Sequence, residues 1–427
     1  MTTSDLVGLR IKTVRRQRGL SQAQLAHPEL SDSYISLIES GKRTPTPAVL
    51  ELLAQKLDCS LSYLVNGVTA EQMEDLELSL GYARLALENG EVSEARTRFS
   101  ELLANNNLTG LTALRQDAQF GLALATEADG DLSQAIVLLD RLLGDDLAPE
   151  RRIEVTVALC RTYRTSERLT EAVEVGEQIL GGAVRPVWSD LMVELGATLL
   201  AAYLDRGDLL RSRQFAAELL NAADTLGTPR SVVAANWNAA LTALYTDHGE
   251  EALVFAERAM AVQTEHGEPR NTARMRLALA ALMLRTRSQD VSTARDLMRR
   301  ALGDMEQTSA GVVDVARCKI EIARAEIMAG NLDQTIVDAA EGLSLLPATA
   351  PSVGLEGDLL LSRAFGATGR FSEAREHIDR ARDWLEPIPD ARRTAGAWYA
   401  TAETLELLGE GEEAVGAYQR ALACAGL

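Results

Sequence analysis

Cysteine is scarce in this chain of 427 residues, with four in all, at positions 59, 160, 318 and 424. No two of them form a Cys-x-x-Cys pair, so we expect neither a zinc site nor a disulfide framework, but buried thiols in a reducing cytosol. Aromatic residues are also few, at 4%, whereas 46% of the residues are hydrophobic. A composition rich in alanine and leucine is typical of a helical protein.

Long apolar runs and export signals are missing as well. No apolar segment approaches the roughly 20 residues that span a bilayer. The N-terminal residues Met1–Asp5 have no basic region followed by an apolar core. We therefore expect no secretion signal, no membrane contact and a cytoplasmic location.

Signals of catalysis are absent too. The sequence has no glycine-rich phosphate loop and no zincin pattern. The four histidines, at positions 27, 248, 266 and 377, lack partners at the spacing of a metal site or a catalytic triad. Carboxylates are abundant, but we expect them on exposed helix faces. There they are ordinarily solvated surface charges and not catalytic groups. We therefore expect no enzyme, no cofactor and no bound metal.

The net charge of −19 is unevenly distributed along the chain. The first 66 residues carry eight basic and six acidic side chains, a net charge of +2, while the remainder carries −21. A basic head attracts the phosphate backbone of DNA, and an acidic body repels it. The charge pattern therefore predicts that the head makes any contact with nucleic acid.

Local signals divide this head into five short helices. The first ends at Gly19, and Ser21 with Gln24 forms a capping box that starts the second. Pro28 keeps the second helix short, because it moves the preceding residue out of the helical region. Capping residues open the other three helices, at Ser31, Thr46 and Ser60. Two short helices joined by a tight turn in such a bundle are a helix-turn-helix arrangement.

The residue types of the head recur at a characteristic spacing. The pattern consists of Leu20-Ser21-Gln22 with Leu25-Ala26, Tyr34-Ile35-Ser36 with Ile38-Glu39, Gly41-Lys42-Arg43 with Pro45, and Leu52-Leu53-Ala54 with Leu57, Leu61 and Leu64. It resembles the Cro/phage-repressor (XRE) family over about 60 residues. The segment from His27 to Ser33 is about one residue shorter than usual and lacks the common turn glycine. We therefore expect a slightly different angle for the third helix, which is the helix that relatives place in the major groove.

The resemblance implies roles for individual residues of the head. Gln22 would contact a DNA phosphate together with backbone N–H groups. Four residues lie on the face that relatives turn into the major groove: Asp32, Ser33, Ser36 and Leu37. Three more would contact phosphates: Tyr34, Lys42 and Arg43. Arg15 and Glu39 occupy positions that form an internal ion pair in relatives. The alternative for any single polar residue is a solvated surface side chain.

The rest of the chain, residues 75–427, is repetitive. A small residue recurs at intervals of 37 to 42 residues, at Ala95, Ala135, Ala172, Ser212, Ala252, Ala294, Thr335, Ala374 and Ala414. A glycine often stands five residues before it, as in Gly90-Glu91-Val92-Ser93-Glu94-Ala95. Each unit predicts a hairpin of two helices, in which the small residue lets the helices approach closely.

This pattern resembles tetratricopeptide repeats (TPR) with helices longer than usual. The resemblance implies about nine hairpins stacked into a right-handed superhelix with a concave groove. The predicted fold is all-α, with an XRE-type helix-turn-helix domain over residues 1–66, a linker over 67–75 and a TPR-like repeat domain over 76–427. This layout also resembles the RRNPP class of peptide-responsive regulators, which implies quorum sensing by a peptide receptor.

The first helix of each hairpin would line the groove. Counting back from the small residues gives the candidates for ligand contact, which are Glu194, Tyr203, Asn236, Trp237, Asn238, Leu241, Arg276, Arg317, Glu321 and Arg324. An asparagine carboxamide can donate to and accept from a peptide backbone, and arginine can bind a carboxylate through two hydrogen bonds. We expect a short peptide or an extended protein segment as ligand. The alternative is that Trp237 packs in the core and the asparagines cap or solvate the helix.

Two functions are compatible with the sequence. The first is a sequence-specific transcriptional regulator that binds a palindromic operator in double-stranded DNA and responds to the ligand of the groove. The second is a TPR adaptor that docks a protein partner and uses the head for localisation. One weakly charged head covers one half-site, so we expect a homodimer, with its interface in the last two or three hairpins.

Overall fold

The computed structural model consists of α-helices joined by short turns. It describes residues 3–181, 187–308, 311–346, 351–386 and 392–427, and these contain 23 α-helices and no β-strand. The chain divides into two compact units, Met1–Asp145 and Asp146–Leu427. None of the described helices is long and apolar enough to cross a membrane. The predicted all-α fold class is confirmed.

Five helices form the head, and their bounds follow the capping signals of the sequence. They are α1 (Thr3–Gln17), α2 (Gln22–Ala26), α3 (Asp32–Glu39), α4 (Pro47–Lys56) and α5 (Leu61–Asn66). Ser21 and Gln24 form the predicted capping box of α2, through hydrogen bonds of 3.1 and 2.8 Å. His27 is extended, with ψ at 145°, because a proline follows it, and α2 ends there. The predicted caps of α3, α4 and α5 are also confirmed.

Apolar side chains from all five helices form one core in the head. Its buried members are Val7, Ile11, Val14, Leu25, Ala26, Ile35, Ile38, Leu53, Ala54, Leu57 and Leu64. Burial of each large aliphatic side chain contributes roughly 1.5–3 kcal/mol. Because α3 contributes Ile35 and Ile38 to this core, its opposite face is turned to the solvent.

The predicted linker over residues 67–75 is wrong in its extent, because a helix begins inside it. This helix, α6 (Ala70–Glu88), is capped by Thr69, whose hydroxyl accepts a hydrogen bond from the N–H of Gln72. Gly67 ends α5 with φ at 83°, and Val68 is fully buried in the core of the first hairpin. Two residues therefore separate the end of α5 from the cap of α6.

The head is also joined to the first two hairpins by contacts of Arg10. Its guanidinium donates to the carbonyl oxygens of Leu64 and Val65, at 3.2 and 2.5 Å. Gly110, in a short 3-10 helix between α7 and α8, lies against the same guanidinium. A Cβ at Gly110 would lie 2.8 Å from the carbonyl oxygen of Asn66. The predicted boundary between head and body therefore falls inside one compact unit.

Nine helical hairpins follow the head within the described residues. Hairpins 1 and 2 consist of α6 with α7 (Val92–Ala104) and α8 (Thr112–Ala128) with α9 (Leu132–Leu143). Hairpins 3 to 6 consist of α10 (Pro149–Thr165) with α11 (Leu169–Leu180), α12 (Asp190–Arg206) with α13 (Leu209–Leu226), α14 (Pro229–Tyr245) with α15 (Gly249–His266), and α16 (Pro269–Thr286) with α17 (Val291–Gln307). Hairpins 7 to 9 consist of α18 (Val312–Met328) with α19 (Leu332–Leu345), α20 (Pro351–Ala367) with α21 (Phe371–Leu385), and α22 (Ala395–Leu407) with α23 (Gly411–Ala425).

The nine small residues lie in the second helices of these hairpins and are buried, with exposures of 3% or less. Six turns contain the glycine five positions earlier, with φ between 75° and 89°: Gly90, Gly130, Gly207, Gly330, Gly369 and Gly409. In hairpins 3 and 5 the same left-handed conformation is adopted by Glu167 and Asp247, at 62° and 61°. This position in the turn therefore requires a left-handed backbone conformation, and glycine adopts that conformation with the least strain.

Three of the four cysteines are buried, as predicted: Cys160, Cys318 and Cys424. Burial raises the pKa of the Cys160 and Cys318 thiols to about 12. Since the thiolate is the reactive form, both thiols stay protonated and unreactive near neutral pH. Cys59 is half-buried, and burial raises its pKa as well.

Candidate DNA-binding surface and ligand groove

The outer face of α3 is a well-defined exposed surface of the head. Ile35 and Ile38 are 0% and 1% exposed, so packing fixes the rotation of the helix. The residues on the other side are all exposed: Asp32, Ser33, Ser36 and Leu37. The four side chains that the sequence assigns to the major groove therefore share one solvent-facing side of α3.

A buried network holds α3 against α1 and α2. Arg15 donates to both carboxylate oxygens of Glu39, at 2.5 and 3.0 Å, as the resemblance implies. Gln22 donates from Nε2 to Glu39 at 2.8 Å. Burial opposes the ionisation of Glu39, but the hydrogen bonds from Arg15 and Gln22 outweigh it and lower the pKa of the carboxyl.

This network changes the part that Gln22 can play. Its side chain is half-buried, and one of its amide N–H groups is used by Glu39. A glutamine amide has two N–H donors, so one remains for a phosphate. Gln22 therefore positions the carboxylate of Glu39 in addition to the predicted phosphate contact, which stays a prediction.

The basic residues of the motif lie just after α3. The backbone N–H groups of Lys42 and Arg43 donate to the carbonyl oxygen of Leu37, at 3.0 and 3.2 Å, and both side chains are exposed. The Arg43 guanidinium lies over the ring of Tyr34, 4.8 Å from its centroid. Tyr34 is itself half-buried against the core, so it supports Arg43 from below.

In the repeats, two predicted ligand contacts are wrong because their side chains turn into the protein. Asn236 is 0% exposed, and its amide donates to the carbonyl oxygen of Val232 at 2.8 Å. Tyr203 is 3% exposed, and its hydroxyl donates to Glu177 of α11 at 2.6 Å. Burial and this hydrogen bond raise the pKa of Tyr203, so the hydroxyl stays protonated.

Five further candidates lie on the first helices with part of their surface accessible. Trp237 is half-buried and packs against the core shared by hairpins 5 and 6, as the alternative interpretation expected. Asn238 donates to the carbonyl oxygen of Ala234 at 2.9 Å, and Leu241 is half-buried. Glu194 pairs with Arg230, and Arg276 pairs with Asp304. These ion pairs leave the two charged side chains already neutralised.

The remaining candidates belong to a charged cluster on α16, α18 and α20, which we call the arginine cluster: Arg285, Arg317, Glu321, Arg324 and Glu356. Arg324 pairs with Glu321 at 3.1 Å and with Glu356 at 3.3 Å. No ion pair or hydrogen bond of Arg285 or Arg317 is found among the described residues, and both are exposed. The cluster therefore has two arginines available to an anion.

Glu356 on α20 interacts with the charges of the other members of this cluster. Its side chain is 47% exposed, yet desolvation by the surrounding protein raises its pKa. Arg324 lowers that pKa, Glu321 raises it, and Arg317 and Arg285 lower it. Charges from three successive hairpins therefore converge here.

A cavity of about 790 Å³ opens beside the cluster, between hairpins 7, 8 and 9. It is lined by Ile327, Met328, Leu332, Arg363, Ala367, Tyr399, Glu403, Thr404, Glu406, Leu407 and Tyr418. Met328, Tyr399 and Leu407 are 42%, 52% and 48% exposed. Met328 lies four residues after Arg324, and Arg363 lies seven after Glu356, so cavity and cluster share helix faces.

The sequence interpretation missed this cavity. A spacing of four residues links Tyr399, Glu403 and Leu407 on α22, and that spacing is a visible signal of a shared face. The signal does not show that the face is accessible, because buried faces of these helices have the same periodicity.

The N-terminal part of the chain is similar to known helix-turn-helix proteins. The family model described as Helix-turn-helix matches residues 11–64. The uncharacterised HTH-type transcriptional regulator y4dJ of Sinorhizobium fredii is 39% identical over 66 residues, which are 15% of this chain and 86% of that protein. The immunity repressor protein of Bacillus phage phi105 is 39% identical over 72 residues, 17% of this chain and 50% of that protein.

A mycobacterial relative is similar over a stretch of comparable length. The HTH-type transcriptional regulator PrpR of Mycobacterium tuberculosis is 37% identical over 70 residues, 16% of this chain and 14% of that protein. The chain therefore matches half or less of the length of the phage repressor and of PrpR.

The helical arrangement is similar to solved structures at low sequence identity. The crystal structure of a Rap protein complexed with competence and sporulation factor is 13% identical, with a TM-score of 0.51 over 83% of this chain and 98% of the other. Bacillus thuringiensis PlcR, in complex with the peptide PapR7 and DNA, is 16% identical, with a TM-score of 0.42 over 64% of this chain and 99% of the other. The likeness to the Rap protein shows a common helical fold.

Proposed function

Because this chain belongs to the XRE-type helix-turn-helix transcriptional regulators through its N-terminal residues, we propose that it binds operator DNA through α3 and that a ligand on its repeats modulates this binding. The observation that carries the proposal is the exposed outer face of α3, fixed in rotation by Ile35, Ile38 and the pair of Arg15 with Glu39. A two-fold homodimer would place two heads on half-sites of a palindromic operator, roughly 34 Å apart. The location that we propose is the cytoplasm.

The residues of the head divide into two groups by the contacts they would make. Asp32, Ser33, Ser36 and Leu37 would face base edges in the major groove, where hydrogen bonds and apolar contacts read the sequence. Gln22, Tyr34, Lys42 and Arg43 would contact phosphates, which fixes the position of the head without reading bases. The stack of Arg43 on Tyr34 supports this division, since it directs the guanidinium outward beside α3.

Footprinting on genomic fragments tests the DNA-binding proposal. Arg43→Ala should weaken binding to all sequences and reduce the salt dependence of the affinity, because a phosphate contact is lost. Ser33→Ala should change the preferred base pairs, since each base contact contributes roughly 1–3 kcal/mol of discrimination. Arg300→Ala is the matched control, because Arg300 is an exposed arginine of α17 in the repeats.

The absence of any preferred site at moderate salt would contradict the proposal. Retention of the biological activity by variants whose head no longer binds DNA would instead favour the adaptor, in which the repeats dock a protein partner.

The ligand that the repeats fit best is a short peptide or an extended protein segment with a free carboxylate. Arg285 and Arg317 have exposed guanidinium groups with no ion pair among the described residues. A guanidinium binds a carboxylate through two parallel hydrogen bonds. The cavity beside them accepts an apolar side chain against Met328, Tyr399 and Leu407. The Rap protein of similar fold is complexed with competence and sporulation factor, which supports a bound factor here as well.

The other predicted contacts extend this ligand site towards the earlier hairpins. Glu321 and Arg324 lie within the arginine cluster, and Arg276 lies on the preceding first helix, α16. Glu194, Trp237, Asn238 and Leu241 lie on α12 and α14 and retain accessible surface. We propose that they contact the extended backbone of a longer ligand.

Calorimetry with the full chain and a library of short synthetic peptides tests the ligand site. A peptide that binds should lose about tenfold or more in affinity when its C-terminus is amidated, because a charged hydrogen bond contributes roughly 1.5–3 kcal/mol. Arg317→Ala should cause a similar loss, and Arg300→Ala should cause none. Equal binding of free and amidated peptides by all variants would contradict the carboxylate site.

A further inference from the structure

One face of α6 exposes a row of apolar side chains to the solvent. Leu78, Tyr82 and Leu85 are 53%, 49% and 50% exposed, and Gly81 lies between them. Their spacing of three and four residues puts all four on one side of the helix. We call this row, made of Leu78, Gly81, Tyr82 and Leu85, the open face of α6.

The next hairpin shows what such a face does. The small residues Ala95 and Ala135 set a register of 40 residues between hairpins 1 and 2. In this register the open face corresponds to Ala118, Gly121, Leu122 and Ala125 of α8. There Ala118 and Ala125 are buried in one core with Phe99 and Leu102 of α7. In hairpin 2, this face therefore packs on the second helix of the hairpin before it.

Contacts within the chain explain why this face has a glycine in hairpin 2, but they do not explain the glycine in hairpin 1. A Cβ at Gly121 would collide with the ring of Phe99, so only glycine lets the helices approach. A Cβ at Gly81 would meet nothing within 4 Å. Glycine inside a helix destabilises it relative to alanine, and Gly81 has no left-handed conformation that requires it. Among the residues that the structure describes, no atom occupies the space that Gly81 keeps open.

Terminal hairpins of repeat arrays ordinarily carry a polar outer face, which keeps them soluble. The open face of α6 is apolar instead, and among the described helices only those of the head precede it. The first hairpin of the array therefore has the kind of face with which an internal hairpin packs on its neighbour. The pattern of this face is also self-complementary, because the two leucines lie symmetrically on either side of Gly81 and Tyr82.

We propose that the open face of α6 packs on the same face of a second copy of this chain, with the two helices antiparallel. In this arrangement Tyr82 fills the space over Gly81 of the partner subunit, and Leu78 meets Leu85 of the partner subunit. An isologous contact of this kind closes a two-fold dimer. The inference rests on the proposed homodimer and moves its interface from the last hairpins to the first.

The position of α6 suits this role. The cap of α6 follows the end of α5 after two residues, and Arg10 and Gly110 fix the head to hairpins 1 and 2. A dimer through α6 therefore holds its two heads at a set distance and orientation, which a palindromic site requires.

Sedimentation equilibrium of the full chain tests the interface. The wild type should be a dimer, and Gly81→Leu should raise its dissociation constant about tenfold to a hundredfold, because a large side chain overpacks the contact. The monomer should stay folded, since leucine has a high helix propensity and the site is open. Circular dichroism melting checks this point.

Two matched variants separate the possible interfaces. Gly303 of α17 and Gly416 of α23 are also helical glycines with nothing within 4 Å of an added Cβ. Gly303→Leu and Gly416→Leu should leave the dimer intact. Asp75→Arg should tighten it, because the antiparallel pairing places residue 75 opposite Glu88 of the partner subunit.

A monomeric wild type, or a dimer that Gly81→Leu leaves intact, overturns the proposal; a dimer that separates only in Gly416→Leu places the interface in the last hairpin. Footprinting of the same proteins keeps this result distinct from the DNA-binding function. A wild-type dimer without any footprint would contradict the proposed binding of operator DNA and would still support the interface. A monomeric wild type with a footprint would contradict the interface and support the binding of DNA.

Discussion

The buried pair of Arg15 and Glu39 helps to hold the orientation of α3. The side chains of Arg15 and Glu39 are 10% and 3% exposed, so water cannot solvate either charge if its partner is removed. Removing one member of such a pair leaves the other buried and unpaired, which is strongly destabilising. The residues that we propose to face DNA are therefore held in place by a pair that is buried within the head.

We predict that Glu39→Gln destabilises the head by about 3 kcal/mol, the lower end of what loss of one partner of a buried ion pair produces. Hydrogen exchange of the α1 and α3 amides measures the effect. The matched control is Asp58→Asn, which removes the exposed pair with Arg18 and should change the free energy of unfolding by less than about 1 kcal/mol. Similar losses in both variants would contradict the role of the buried network.

The same carboxyl predicts a dependence of stability on pH. The pKa of Glu39 is lower in the folded head than its unfolded value of about 4.3, so its contribution is complete above that value. It is lost as the pH falls through the lower, folded pKa. The difference in stability between wild type and Glu39→Gln should be constant from neutral pH to about pH 5 and should shrink below about 4.3. A constant difference down to pH 3 would show that Glu39 is not ionised.

At the scale of the element, the turns of eight of the nine hairpins each contain one residue with positive φ. Gly130 has φ at 89° in hairpin 2, and Asp247 has φ at 61° in hairpin 5. A left-handed conformation costs roughly 1–2 kcal/mol for a residue with a Cβ, and somewhat less for aspartate. The turn at Asp247 therefore has this conformational strain and the turn at Gly130 does not, although both residues have a left-handed backbone conformation.

Gly130→Ala should therefore lower the free energy of unfolding by about 1 kcal/mol, and Asp247→Gly should raise it by up to about 1 kcal/mol. Thermal melting with chemical denaturation as a second probe measures both. Gly303→Ala is the control for glycine replacement at a helical position and should be mildly stabilising. Opposite signs at residues 130 and 247 are the essential result, and equal signs would rule out the explanation by backbone conformation.

The elements were predictable from the sequence because their signals are local. Helix ends are determined by Ser21 with Gln24, by Thr46 before Pro47, and by the glycine of six turns, through bonds that span a few residues. The rotation of the first helices was less predictable. Neighbouring residues of a helix differ by 100° in direction, so Asn236 turns into the core while Asn238 stays partly accessible.

At the scale of the whole molecule, the candidate ligand site could be predicted only in part. Arg317, Glu321 and Arg324 were expected on the groove, and the structure brings them together with Arg285 and Glu356. The adjoining cavity depends on how α18, α20 and α22 lie beside one another. No local signal contains that arrangement, because it results from the packing of three hairpins.

The joint between the head and its first hairpins also belongs to this scale. A side chain at Gly110 would press on Arg10 and on the backbone of Asn66. Gly110→Val should therefore destabilise the first unit by about 1–3 kcal/mol, as overpacking does. Hydrogen exchange should show lower protection in both α1 and α8, because Gly110 lies against Arg10 of α1 and lies just before α8. Loss of protection in α8 alone would show that the head folds independently of the hairpins.

The division of the chain after Asp145 has an optical consequence. All four tryptophans, Trp188, Trp237, Trp384 and Trp398, belong to the second unit, and the first has none. Indole emission is therefore an intrinsic reporter of the repeats that would hold a ligand, and it is silent about the head. A change in emission on adding a peptide can be assigned to the second unit without any label. A single tryptophan introduced into the first unit of a tryptophan-free variant would report the response of the head alone.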